Sequence, residues 1–269
     1  MRFAGLVAAP ETELDLAAAA LLLAAEEYPN LPPGPYLRRL DLLAERVHDR
    51  LGEETAPLIV LHELNRVLYQ EEGFRANVEN YYDARNSFLN DVLDRRLGIP
   101  ISLGLVYLEV GWRLGLPVRG VNFPGHFLVR YDGEAMTILV DPFDGGRLRF
   151  EDQAQELLQR VYGGMVRLQP DFLQPAGKKD ILVRLLTNLK RIYLNTRDDA
   201  RALAAVEFIL LVRPTAAGEL RDRGMLLART GRLDEAIADL ERYLGFAPQA
   251  PDAGGVRRLI DELARTSRR

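Results

Sequence analysis

Histidine is the usual general base near neutral pH, and the chain offers three: His48, His62 and His126. His48 and His62 lie in amphipathic helical segments, with no second His or Cys at metal-ligand spacing. They read as surface or packing residues, because His62-Glu63 lacks the second His of a zinc-protease helix. His126 is different, since it follows the tight-turn sequence Asn122-Phe123-Pro124-Gly125 and is expected to open a strand. A carboxylate that orients such a base should come from the neighbouring strand, and Asp141, just before Pro142, is placed to lie across the hairpin. A nucleophile would gain from a helix N-terminus, where free N–H groups favour developing negative charge. Ser102, two residues after Pro100, holds that place, giving the chain order Ser102, His126, Asp141. A serine in a first helical turn also satisfies backbone groups locally, so both readings of Ser102 stand at this stage. Asn90 and Asn122 are close enough in sequence to assist by hydrogen bonding, or to fix their own turns.

These residues need a framework. From Glu11 to about Arg96 apolar residues recur at helical spacing, as in Leu40, Leu43, Val47 and Leu51. A further helix should begin at Gly98-Ile99-Pro100 and run past Trp112 to Gly115, buried on nearly all sides. The runs Val118 to Phe123, Phe127 to Tyr131, Met136 to Val140 and Leu148 to Phe150 are β-prone, with turn residues between them. They predict a small antiparallel sheet packed on the helix at 101–115, hence an α+β domain over residues 1–170. Residues 171–179, with Pro175 and Gly177, read as a linker to an all-α region over 180–269.

That region repeats itself. Pro214 and Pro248, Thr196 and Thr230, Ala202 and Ala236, Glu207 and Glu241, and Leu210 and Leu244 are each 34 residues apart. Thirty-four is the tetratricopeptide period, in which small residues let paired helices approach and proline ends the second helix. First helices are expected at 188–197 and 218–230, second ones at 200–212 and 233–246, and a closing helix at 256–264.

Composition bounds the function. The 269 residues are 48% hydrophobic and 28% charged, an ordinary globular balance. Thirty-five basic against thirty-nine acidic residues give a net charge of −4, without the positive field that nucleic acid or an anionic membrane would select. No cysteine is present, which removes disulfides, thiolate metal sites and thiol nucleophiles. Neither a metal nor a cofactor is expected. No run reaches the roughly 20 apolar residues of a membrane span. Glu11, Glu13 and Asp15 precede Leu16–Ala25 where a secretory signal would be positive, so a cytoplasmic location is expected.

The stretches Tyr81-Tyr82-Asp83, Asn86-Ser87-Phe88-Leu89-Asn90, Arg95-Arg96-Leu97-Gly98-Ile99-Pro100-Ile101-Ser102-Leu103, Gly120 to Val129 and Asp141-Pro142-Phe143 together resemble the SirB-type transglutaminase-like proteins with C-terminal tetratricopeptide repeats. The resemblance implies a papain-like transglutaminase core, with a thiol at the start of the core helix, then a histidine, then an aspartate. Those positions map to Ser102, His126 and Asp141. Serine in place of the thiol means that neither transamidation nor thiol proteolysis carries over. The resemblance also implies a regulatory role. Two functions are therefore expected: a non-enzymatic module that binds a protein or peptide through its repeats, or a serine hydrolase of acyl or amide bonds using Ser102, His126 and Asp141.

Overall fold

A computed structural model of the chain describes residues 3–134 and 136–267, with Glu151 described by its backbone alone. Residues 1, 2, 268 and 269, which the expected domains include, lie outside the described residues. The chain divides into two compact units, Met1–Leu185 and Leu186–Arg269.

The first unit opens with helices α1 (Phe3–Ala8), α2 (Leu16–Glu27), α3 (Pro33–Leu51) and α4 (Pro57–Asn65), the last running into a π-helical segment, Arg66–Glu71. Proline at or next to the first turn of α3 and α4 suits their starts, since the first helical N–H groups have no internal partner. After β1 (Arg75–Ala76) come α5 (Leu89–Arg95), β2 (Leu97–Gly98), parallel to β1, and α6 (Pro100–Arg113). Twelve consecutive residues of α6, Pro100 to Gly111, are buried, so this helix is the axis of the unit's core.

Against α6 lies an antiparallel sheet in the order β6-β5-β4-β3-β7, built from β3 (Val118–Val121), β4 (Leu128–Asp132), β5 (Thr137–Asp141), β6 (Arg147–Arg149) and β7 (Pro175–Ala176). Both faces of the sheet are covered, which explains why its central strands lack strict alternation. On one side Phe127 packs on Gly104 and Val118 on Gly111 of α6. On the other, Val121, Leu128 and Leu139 pack with Ala154, Leu157 and Leu158 of α7 (Ala154–Tyr162). The architecture is α+β, as the pattern of runs predicts.

β4, β5 and β6 match the β-prone runs in length and lie one residue from them, whereas β3 is shorter than its run. β3 ends at Val121 because Asn122 to Gly125 turn the chain, with Gly125 at φ +66° and the His126 N–H donating to Phe123 O at 3.0 Å. His126 therefore sits at the end of the turn, two residues before β4, rather than as the first residue of a strand. The stretch expected to be a linker carries a short 3-10 helix, Pro170–Leu173, and the edge strand β7, which pairs with β3. An edge strand tolerates proline because one side of its backbone needs no partner. α8 then begins at Lys178, ten residues before the helix expected at 188.

The second unit takes the rest of α8 (Lys178–Asn195) with α9 (Asp199–Val212), α10 (Ala217–Arg229), α11 (Leu233–Phe246) and α12 (Ala253–Ser267). Its core joins Ala202, Val206, Leu220, Leu227, Ala236, Leu240 and Tyr243. The small residues at 202 and 236 are both fully buried. A side chain on Gly224 would place its Cβ 2.7 Å from Leu240 Cγ, so the absence of one lets α10 and α11 close together.

Candidate functional site

Two of the three sequence-selected residues meet. The His126 Nε2 is 2.8 Å from Asp141 Oδ1, with 12% of the imidazole and 3% of the carboxyl side chain exposed. Because β4 and β5 pair antiparallel with Val129 opposite Val140, the end of β5 comes beside the residues that precede β4. Asp141 is fixed by its own chain: Oδ1 also accepts the Phe143 N–H at 3.2 Å and the Asp144 N–H at 3.3 Å, capping the short 3-10 helix Pro142–Asp144. An ionised carboxylate is an acceptor only, so this bond puts the imidazole proton on Nε2 and leaves Nδ1 to face other groups.

Ser102 does something else. Its Oγ accepts the Ile99 N–H at 3.0 Å and donates to Ile99 O at 3.2 Å, and the residue is 1% exposed. The hydroxyl thus ties down the residue that precedes α6, and no hydrogen bond among the described residues joins it to His126. Gly98 closes over it, since a Cβ at 98 would stand 2.7 Å from Ser102 Oγ. Asn90 and Asn122 each hold a buried Oδ1 without a hydrogen-bond partner, and neither bonds to Ser102, His126 or Asp141. His48 and His62 are exposed on α3 and α4.

Aromatic rings flank the imidazole. Phe143 meets the His126 ring edge to face at 6.0 Å, and Tyr81 meets Phe143 in the same way at 6.1 Å. The Tyr81 loop is held from inside by Asn86, whose Nδ2 donates to Asn80 O at 2.7 Å and Tyr81 O at 3.2 Å, while Asn77 donates to Asn86 Oδ1 at 2.8 Å. The asparagine of the Asn86-Ser87-Phe88 stretch is therefore a loop-builder. Asp83 in the same loop is half-buried, and that partial burial raises its pKa, but Arg85 and Arg95 outweigh it and hold the carboxyl below the usual carboxylate range.

The sequence reading did not select the residues behind Asp141. Arg149 of β6 is buried with its Nε 3.8 Å from Asp141 Oδ2 and its Nη2 donating to Asp144 Oδ2 at 3.0 Å. From the π-helical segment Tyr69 stacks on Tyr107 of α6, ring centroids 6.5 Å apart, and both hydroxyls are buried without partners. Burial, then the nearby Tyr107 and Asp141, push the Tyr69 hydroxyl well above its ordinary pKa, so it stays protonated. Asn65 donates to Gly146 O at 2.7 Å, locking the turn after Asp144. A charged residue inside a β-prone run was the one available signal for Arg149.

A family model described as the transglutaminase-like superfamily matches residues 35–187, and one described as a tetratricopeptide repeat matches 189–261. A UPF0162 protein of Xylella fastidiosa (strain 9a5c) is 38% identical over 93% of this chain and 90% of its own length. The chain belongs to the transglutaminase-like superfamily and, within it, to the UPF0162 family. Another UPF0162 protein, from Pseudomonas aeruginosa, is 32% identical over 91% of this chain and 90% of its own length. A segment of 85 residues, 32% of the chain, is 46% identical to a part of the human F-box only protein 21 that makes up 14% of that protein. No solved structure matches. The SirB-type resemblance and the repeat architecture thus hold for this UPF0162 protein. Among the described residues no helix is long and apolar enough to cross a membrane.

Proposed function

We propose that this UPF0162 chain is a binding protein, a transglutaminase-like core that has given up nucleophilic chemistry beside helical repeats that receive a protein or peptide. The observation that carries this reading is the reciprocal bonding of Ser102 with Ile99: the hydroxyl's proton and an oxygen lone pair are both committed to backbone. An activated serine must instead pass its proton to a base within hydrogen-bond reach. The absence of cysteine removes the thiol route altogether. Tetratricopeptide helices stack into surfaces that recognise other chains, and the match at 189–261 supports that use here. The 85-residue segment shared with the much longer F-box only protein 21 supports a portable module.

One observation favours a second reading, serine hydrolysis of acyl or amide bonds: the 2.8 Å contact of His126 with Asp141 is the base-and-orienter half of a Ser-His-Asp set. A fluorophosphonate probe separates the two. With intact mass as readout, the binding reading expects no adduct on the native chain. An adduct that both Ser102→Ala and His126→Ala abolish would overturn it in favour of the hydrolase.

A further inference from the structure

Arginine is among the residues least often found wholly inside a protein, and when it is, a partner accounts for it. Among the described residues Arg149 heads the fully buried side chains by volume, with 1% of its side chain exposed. Its two carboxylate neighbours are unequal. Asp144 is 45% exposed, so water screens its charge, whereas Asp141 is 3% exposed. A buried guanidinium and a buried carboxylate each cost several kcal/mol if left alone, so Arg149 and Asp141 require one another.

Asp141 divides its oxygens. Oδ1 takes the His126 Nε2 and the two backbone N–H groups of Phe143 and Asp144, and Oδ2 faces Arg149. We propose that Arg149 is a positioning residue for His126, completing a row His126, Asp141, Arg149 in which the guanidinium balances the carboxylate, so that Asp141 orients the imidazole without drawing a second proton onto it. The proposal rests on the second reading above, in which His126 and Asp141 are base and orienter, and the charge state it concerns can be measured whether or not Ser102 acts.

A carboxylate beside an imidazole favours its protonated form, and a cation behind that carboxylate opposes the effect. Among the other polar groups around the pair, Arg184 of α8 is a second cation, donating to His126 O at 3.4 Å, but it lies on the side of the histidine backbone rather than against the Asp141 carboxylate and is unchanged in every variant below. Tyr162 of α7 places its hydroxyl beside Gly125, and Tyr69 is held neutral behind Asp141. Asp144 adds negative charge rather than positive, and it shares Arg149 through the 3.0 Å bond. Without Arg149, the two backbone donors on Oδ1 still hold Asp141 in place, so the unbalanced charge falls on His126.

Carbethoxylation by diethylpyrocarbonate, followed by peptide mass, counts unprotonated His126 and needs neither partner nor substrate. Its outcome is thus separate from that of the serine probe. For Arg149→Met the rate is expected to fall several-fold near pH 6.5, because a larger fraction of the imidazole would hold its second proton there. Near pH 8.5, where imidazole is neutral in either case, the variant should react about as fast as the parent. Arg149→Lys, which keeps the charge, should restore the parent rate at both. An unchanged rate at the lower pH overturns the proposal, and so does an equal loss at both, which would mean that Arg149 only fills space. If Arg149→Met does not fold, Asp144→Asn takes its place: it leaves Arg149 to Asp141 alone, and His126 should then react several-fold faster near pH 5.5. No change, or a slower reaction, overturns the proposal there too.

Discussion

The ring of Phe127 lies on Gly104, so closely that a Cβ at residue 104 would overlap its Cδ1 and Cε1 atoms. This contact seats the strand that follows His126 on the core helix. In an exposed helix, glycine to alanine stabilises by about 1 kcal/mol. Here the sign should reverse: Gly104→Ala must push a fully buried ring off α6, and overpacking of that kind costs about 1–3 kcal/mol. Urea unfolding of the full chain checks this, and a variant as stable as the parent would show that the ring can slide.

The Ser102–Ile99 pairing makes a second prediction. Ser102→Ala leaves the buried Ile99 N–H without its acceptor, a loss of about 1–3 kcal/mol. Under the binding reading that is its whole effect, so partner affinity of the folded variant should equal that of the parent. A variant with unchanged stability would mean that the hydroxyl is free for other work.

What could be read from the chain was what local chemistry dictates. Pro100 announces the start of α6, Pro142 stops β5 after Asp141, and a hairpin brings the two ends together, so the His126–Asp141 contact follows from order and turn signals. The role of Ser102 could not be read, because capping its own turn and facing a base are both compatible with position 102 until the strands are placed. Arg149 was invisible for a different reason. A charge in a short β run is ordinarily the solvent-facing member, and only packing on both sides of the sheet turns it inward against Asp141. Pro175 misled in the opposite direction, since the residue that marks a linker is equally at home on an edge strand.

Glu109 of α6 gives a pH signature. Burial raises its carboxyl pKa, and the ion pair with Arg113 offsets that only in part. A carboxyl that binds its proton more tightly when folded contributes stability below its unfolded value, near 4.5, and loses it as pH rises through the raised folded value. Folding stability measured from about pH 4 to 7 should therefore carry a downward term from this group. Glu109→Gln should remove it, so that the difference between variant and parent drifts in the variant's favour as pH rises. A difference independent of pH would deny Glu109 this role.

The repeats make the last prediction, because their turns can be compared residue by residue. Thr196 Oγ1 donates to Ile192 O at 3.1 Å, and Thr230 Oγ1, 34 residues on, donates to Leu226 O at 3.2 Å. The next residue in each turn is left-handed: Arg197 at φ +58° and Gly231 at φ +81°. For an L-residue that conformation costs about 1–2 kcal/mol, and glycine escapes it. The two positions should answer oppositely to exchange. Gly231→Ala should destabilise by about 1 kcal/mol, since open space around it leaves backbone strain as the only penalty. Arg197→Gly should be neutral or stabilising, the relief of strain set against the extra freedom of glycine in the unfolded chain. Thermal or urea unfolding of both variants decides it: equal losses at the two sites would mean that the turns, though 34 residues apart and bonded alike, do not share one backbone requirement.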